Sequence, residues 1–136
     1  MSIDIRPAVL EDTPAVLGFW RDVAAPTTTD DADGVAALLA RDPGALLVAE
    51  SCGRIVGTVI AAWDGWRGSV YRIAVDPAHR REGLGRRLLD EAEQRLRTLG
   101  ARRMHAIVVG SDERAVGFWE ASEWEFQDSQ LRFTRS

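Results

Sequence analysis

Hydrophobic and polar positions along the chain fall into runs of two periods, and each run predicts an element. Ile3 and Ile5 alternate with polar neighbours up to Pro7, the pattern of a short first strand. Val16, Leu17, Phe19, Trp20 and Val23 recur at helical spacing, which predicts a helix with Asp12 as its cap, Pro14 in its first turn and Pro26 beyond its end. After the polar link 27–33, a second helix starts at Asp33 or a neighbouring aspartate, runs through Leu39 and stops before Pro43 and Gly44. Residues 46–50 and 55–63 read as strands joined by a turn at 51–54, hence an antiparallel hairpin, and 69–75 reads as the next strand after the loop 64–68. From Leu84, the positions Leu88, Leu89, Ala92, Leu96 and Leu99 form one helical face, Asp90, Glu91, Glu93, Arg95 and Arg97 the other, and Gly100 is the stop. A strand at 104–109, a helix capped by Asp112 and two short strands at 124–126 and 130–134 complete the chain.

The order β-α-α-β-β-β-α-β-α-β-β predicts an α/β (α+β) fold, a single mixed, mostly antiparallel sheet with helices on both faces. The 136 residues suit one domain, 1–136, large enough for a core. A net charge of −4 argues against a nucleic-acid partner, so basic clusters are local features. No apolar run approaches the roughly 18 residues of a membrane span, and the first seven residues lack the regions of a signal peptide, so the expected location is cytoplasmic, with no membrane partner. Cys52, the single cysteine, falls in the hairpin turn and excludes an internal disulfide. With His79 and His105 as the only histidines, no metal-ligand set forms.

The segment 70–89 carries the chemistry. A strand, a turn holding Gly83 and Gly85, and an amphipathic helix follow one another without a linker, which is the anatomy of an anion site. Arg80, Arg81, Arg86 and Arg87 surround the turn with groups suited to phosphate oxygens. A nucleoside-triphosphatase loop is excluded because the chain has no lysine, and the dinucleotide fingerprint fails because Leu88 stands where its third glycine belongs. What remains is Arg80-x-x-Gly83-x-Gly85, preceded by Val75-Asp76-Pro77 and followed by a leucine-rich helix.

With those residues the sequence resembles the GNAT superfamily of acyl-CoA N-acyltransferases, whose cofactor loop reads Gln/Arg-x-x-Gly-x-Gly/Ala. The likeness runs from Ile3–Pro7 and the helix start Glu11-Asp12 to Asp112-x-x-Ala115-x-x-Phe118-Trp119, nearly the whole chain. It implies the GNAT fold and acetyl-CoA as cofactor. The amides of Arg81, Glu82, Gly83, Leu84, Gly85 and Arg86, beside Arg80, would hold the pyrophosphate. Ile73, Ala74 and Val75 would pair with the pantetheine arm in the gap where this strand splays from the next, and the helix carrying Asp112, Ala115 and Phe118 would flank it. Bringing amine and thioester together supplies much of the rate, and an N–H on 73–75 would stabilise the oxyanion.

Relatives often carry Asn at 112, Tyr at 119, Gly at 123 and Phe or Tyr at 124, where this chain has Asp112, Trp119, Glu123 and Trp124. The tyrosine is the usual proton donor to the thiolate, and Trp119 has only an indole N–H. Trp119 and Ser122, or water, are therefore the candidates at the leaving group, and a thiolate can also leave without much protonation. Asp64, Tyr71, Glu50 and His105 are the candidate bases, since Ile107 occupies a position where some relatives hold a carboxylate. Trp20, Trp63, Asp64 and Trp66 are the candidates for a cationic acceptor, a small-molecule amine or a peptide terminus, on a side whose segments also hold the carboxylates Asp30, Asp31 and Asp33. Relatives often pair as homodimers. The favoured reading is an N-acetyltransferase acting by direct transfer in a ternary complex. Its rival is a catalytically silent acyl-CoA sensor, suggested by Trp119 and Ile107.

Overall fold

The computed structural model describes residues 2–136. Contacts divide the chain into two compact units, Met1–Ala106 and Ile107–Ser136.

The first unit is built on one five-stranded sheet in the spatial order β1 (Asp4–Pro7), β2 (Leu46–Ser51), β3 (Arg54–Trp63), β4 (Gly68–Val75) and β5 (Met104–Ala106). The first four strands pair antiparallel and β4 pairs parallel with β5. Between β2 and β3, Cys52 and Gly53 both take positive φ (52° and 75°), the backbone of a two-residue hairpin turn.

Helices α1 (Thr13–Val23) and α2 (Ala32–Arg41) cover one face, where Val16, Phe19, Trp20 and Val35 pack with Leu46 and Val48. Helix α3 (Leu84–Leu99) covers the other through Leu84, Leu88, Leu89, Ala92 and Leu96, each 2% exposed or less. Burying each leucine is worth roughly 1.5–3 kcal/mol, which fixes the helix and the turn that precedes it. The approach is close: a Cβ on Gly68 would stand 2.7 Å from Leu96 Cδ1. Gly100 ends α3 in the left-handed conformation, as its position predicts.

Asp12 has a stronger partner than a helix terminus. Its carboxylate takes two bonds from Arg6, at 2.8 and 2.9 Å, and one from the Val9 N–H at 2.8 Å, and it gives α1 no side-chain cap. The Arg6 guanidinium, first among the causes, holds the Asp12 carboxyl below its ordinary range. Asp31, the neighbour of Asp33, caps α2 through the Gly34 N–H at 2.7 Å.

In the second unit, α4 (Glu113–Ala121) is capped by Asp112, whose carboxylate accepts the Ala115 N–H at 3.1 Å. The helix ends with Glu123 at φ 65°, a left-handed backbone that explains why glycine suits this position. The two strands predicted at 124–126 and 130–134 do not form. This unit contains no other strand, and a two-stranded hairpin standing alone is marginal in water. The strand predicted over 104–109 is also shorter, since pairing ends at Ala106.

Candidate active site

The turn between β4 and α3 has the shape of an anion cradle. Asp76 accepts the Ala78 N–H at 2.9 Å and starts a 3₁₀ turn over Pro77–His79. Arg81 and Gly83 then adopt φ of 70° and 77°, and such alternation turns successive N–H groups toward a common point. No side chain caps Gly83, and Arg87 is the first residue to bond back, to the Gly83 carbonyl at 3.1 Å, so the donors ahead of it are the orphan set of the helix. A Cβ at Gly83 would meet nothing within 4 Å, so the space above the turn is open. A pyrophosphate fits such a cradle.

The side chains around the turn divide by partner. Arg80 and Arg81 make no ion pair among the described residues, Arg86 pairs with Asp90 at 3.1 Å, and Glu82 binds His79 Nδ1 at 3.1 Å. Arg87, grouped with the phosphate arginines by its position in sequence, turns away and donates to the Ile3 carbonyl at 3.2 Å. Leu84 contributes only its amide, since its side chain is in the core.

The strand leading into the cradle has an open edge and a bulge. Pairing with β5 stops at Val70 and Ala106, so Tyr71 to Val75 have no ladder partner on that side. This edge, with half-buried Ile73, Ala74 and Val75, could pair with an extended pantetheine arm. Toward β3 the register shifts between Thr58 and Ile60, which face Ala74 and Tyr71, so Arg72 and Ile73 stand against one residue. Arg72 takes φ of 53° at this bulge. A buried chain holds it there: the Trp20 indole N–H donates to Thr58 Oγ1 at 2.9 Å, and the Thr58 hydroxyl donates to the Arg72 carbonyl at 2.9 Å. The Arg72 guanidinium lies 5.1 Å from the Trp20 ring centroid, donates to the Ala25 carbonyl at 2.8 Å and forms an ion pair with Asp30, which ties the α1–α2 loop to the bulge. Burial lowers its pKa from the ordinary arginine value.

The four acceptor candidates are not gathered. Trp20 is 3% exposed and belongs to the core. Trp63 is half-buried beside Gly100, on the α3 face. Asp64 accepts the Trp66 and Arg67 N–H groups at 2.8 and 2.7 Å, which holds its carboxyl below the usual range and fixes the loop. Trp66 is 70% exposed, with Arg67 stacked 4.1 Å from its ring, beside a cleft of about 320 Å³ that Arg102 and Arg103 also line. A larger cleft of about 410 Å³ lies between α1 and the β2–β3 turn, and none of the four lines it. Among the base candidates, Glu50 is bound by Arg6 at 3.0 Å, while His105 is exposed and stands 3.0 Å from Ser69 Oγ.

Of the remaining catalytic candidates, Tyr71 is on β4 and 45% exposed. Trp119 and Ser122 are in the second unit with Asp112, Ala115 and Phe118. Trp119 is buried, edge-on to Phe118 and Trp124 with centroids 5.6 and 4.6 Å away, and Ser122 donates its hydroxyl to the Phe118 carbonyl at 2.8 Å. Asp30, one of the carboxylates read onto the acceptor side, pairs instead with Arg72, and the residues missed by sequence reasoning are Thr58 and Arg72. A threonine inside the apolar run 54–63 was the one local sign of them.

Comparison with known proteins identifies the family. The profile of the acetyltransferase (GNAT) family matches residues 10–123. An acetyltransferase of Pectobacterium atrosepticum is 33% identical over 128 residues, 93% of this chain and 90% of that one. An acetyltransferase of Sodalis glossinidius is 30% identical over 131 residues, covering 95% and 92%. In fold, the chain is similar to the aminoglycoside acetyltransferase AAC(6′)-Iy, solved with a bisubstrate analogue of CoA, with a TM-score of 0.79, 19% identity and coverage of 100% and 99%. Among the described residues, no helix is long and apolar enough to cross a membrane. The chain belongs to the GNAT family and is an acetyltransferase that uses acetyl-CoA.

Proposed function

We propose that this acetyltransferase acts on a primary amine of a small molecule or a peptide terminus, by direct transfer in a ternary complex. The observation that carries the reading is the uncapped, open turn at Gly83 placed at the end of a strand whose edge is unpaired from Tyr71. The amides of Arg81 to Arg86, with Arg80, would bind the pyrophosphate, and the main chain of Ile73 to Val75 would orient the pantetheine arm. Acetyl-CoA supplies an activated acyl thioester when bound. An N–H of 73–75 would stabilise charge on the thioester oxygen, and the bulge at Arg72 sets where that donor points. The small-amine acceptor follows the neighbour AAC(6′)-Iy, whose bound analogue joins CoA to an acetylneamine.

The test is acetylation of an amine panel (kanamycin, spermidine, an alanyl peptide and Nα-acetyl-lysine amide) with mass detection. Transfer of one acetyl group to at least one member, with release of CoA, is the expected result. Tight binding of acetyl-CoA with no acetylated amine would contradict the reading and favour a sensor.

A further inference from the structure

Ser69 and His105 face each other in the parallel ladder of β4 and β5, with Ser69 Oγ 3.0 Å from His105 Nε2. The ladder also sets their side. Thr58 meets α1 through Trp20, Ile60 packs into the α1–α2 core, and Ala62, two residues further, pairs with Ser69. By alternation, Ser69 and His105 stand on the α1 face. Tyr71 shares that face one alternation nearer the bulge, and both it and His105 are exposed, so this margin of the sheet is open. The ladder ends one pair beyond His105, where the free edge of β4 begins. The other candidate carboxylates here are engaged, Glu50 by Arg6 and Asp64 by two turn amides. The second histidine, His79, is held by Glu82 in the phosphate turn.

We propose that His105 is the general base of the transfer, taking the proton of the acceptor ammonium directly or through one water, with Ser69 as the positioning residue that fixes its ring. This rests on the N-acetyltransferase reading above. The 3.0 Å contact admits either direction; in this role His105 carries its proton on Nε2, donated to Ser69 Oγ, and the Nδ1 lone pair is the acceptor. The ammonium N–H bond breaks and an Nδ1–H bond forms. The amine's freed electron pair then makes the C–N bond while the C–S bond breaks and sulfur leaves with its pair; the second proton of that nitrogen passes to the thiolate, which gives the neutral amide and the CoA thiol, and the imidazolium returns its proton to water. The titratable and charged residues closest along the two strands and their loops are Asp64 and Arg67 on the β3–β4 loop, Arg103 just ahead of β5, and Tyr71, a neutral phenol, on β4. Asp30 and Arg72 satisfy each other.

Because the chain has only two histidines, imidazole NMR of the free protein, assigned with His105→Gln, gives the tautomer and midpoint of His105 without any turnover. The expected tautomer is Nε2–H. The expected kcat/KM of the wild type rises with pH along a limb that shares this midpoint. The limb stays in place between an alanyl peptide and Nα-acetyl-lysine amide, whose amines titrate near about 8 and about 10. His105→Gln removes the limb and lowers kcat by about 10²-fold with an unchanged KM for acetyl-CoA, while Ser69→Ala moves limb and midpoint together. Wild-type kcat in His105→Gln, an Nδ1–H tautomer, or an acetyl group found on Ser69 overturns the assignment. A wild type that binds acetyl-CoA and acetylates no amine refutes the N-acetyltransferase reading instead, and the tautomer then still decides whether Nδ1 or the Ser69-facing Nε2 is the nitrogen free to take a proton.

Discussion

Thr58→Val is expected to destabilise the protein by roughly 2–4 kcal/mol and to lower its melting temperature on the order of 10 °C, although the two side chains have nearly the same shape. Thr58 is 0% exposed, and its hydroxyl is both the acceptor for Trp20 Nε1 and the donor to the Arg72 carbonyl. Valine leaves both of those groups without a partner in a place water does not reach, at about 1–3 kcal/mol each. It also releases the bulge. A non-glycine residue in the left-handed region costs about 1–2 kcal/mol, so Arg72 keeps φ of 53° only while its carbonyl and guanidinium are held. Relaxation there re-aims the N–H groups of 73–75, so kcat falls while the KM for acetyl-CoA, set mainly at the phosphate turn, changes little. Thr58→Ser keeps the hydroxyl and should recover most of both losses. Thermal melts and steady-state kinetics of the two variants check this. A valine variant as stable and as active as wild type would show that the buried chain holds nothing.

Gly83→Val is expected to weaken acetyl-CoA binding tenfold or more while the protein stays folded. Gly83 sits at φ 77° outside the core, so the penalty does not come from a clash: an added Cβ meets no atom within 4 Å. It comes from the backbone, which costs about 1–2 kcal/mol for an ordinary residue and more for a β-branched one. Rotating the peptide relieves the strain and moves the donors off their common point. Alanine, smaller and unbranched, should lose less. Calorimetric titration with acetyl-CoA, beside circular dichroism to confirm that α3 is intact, separates a lost cradle from a lost fold. A folded valine variant with wild-type affinity would contradict the role given to the turn.

The parts of the molecule that were legible in the sequence are those set by neighbours a few residues apart. The leucine face of α3 as far as Leu96, its stop at Gly100, the Asp112 cap and the glycine turn at 83 are local patterns that appear in the structure, whereas Leu99, in the last turn beside Gly100, is 42% exposed. The bulge was hidden because it depends on how residues 58–60 align with 71–74, a register that no short window contains. Arg87 was misassigned for a similar reason: its partner, Ile3, lies 84 positions away. Asp12 lost its place as a helix cap to an arginine on the preceding strand, because two charge-assisted bonds outweigh one bond to a helix terminus. Alternation at 124–134 promised two strands, but alternation says only which side chains share a face and does not supply an edge to pair with. Tryptophans were the least readable residues. Their area suits a core and a binding surface equally, and only the structure separates buried Trp20 from exposed Trp66.

The central claim is that main-chain N–H groups of residues 81–86 bind the cofactor's pyrophosphate. Backbone amide NMR of the protein titrated with coenzyme A tests it most directly. The expected result is that the amides of Glu82, Gly83, Gly85 and Arg86 move furthest downfield and saturate together with the calorimetric binding curve. Saturable binding that leaves those amides in place and shifts others instead would contradict it.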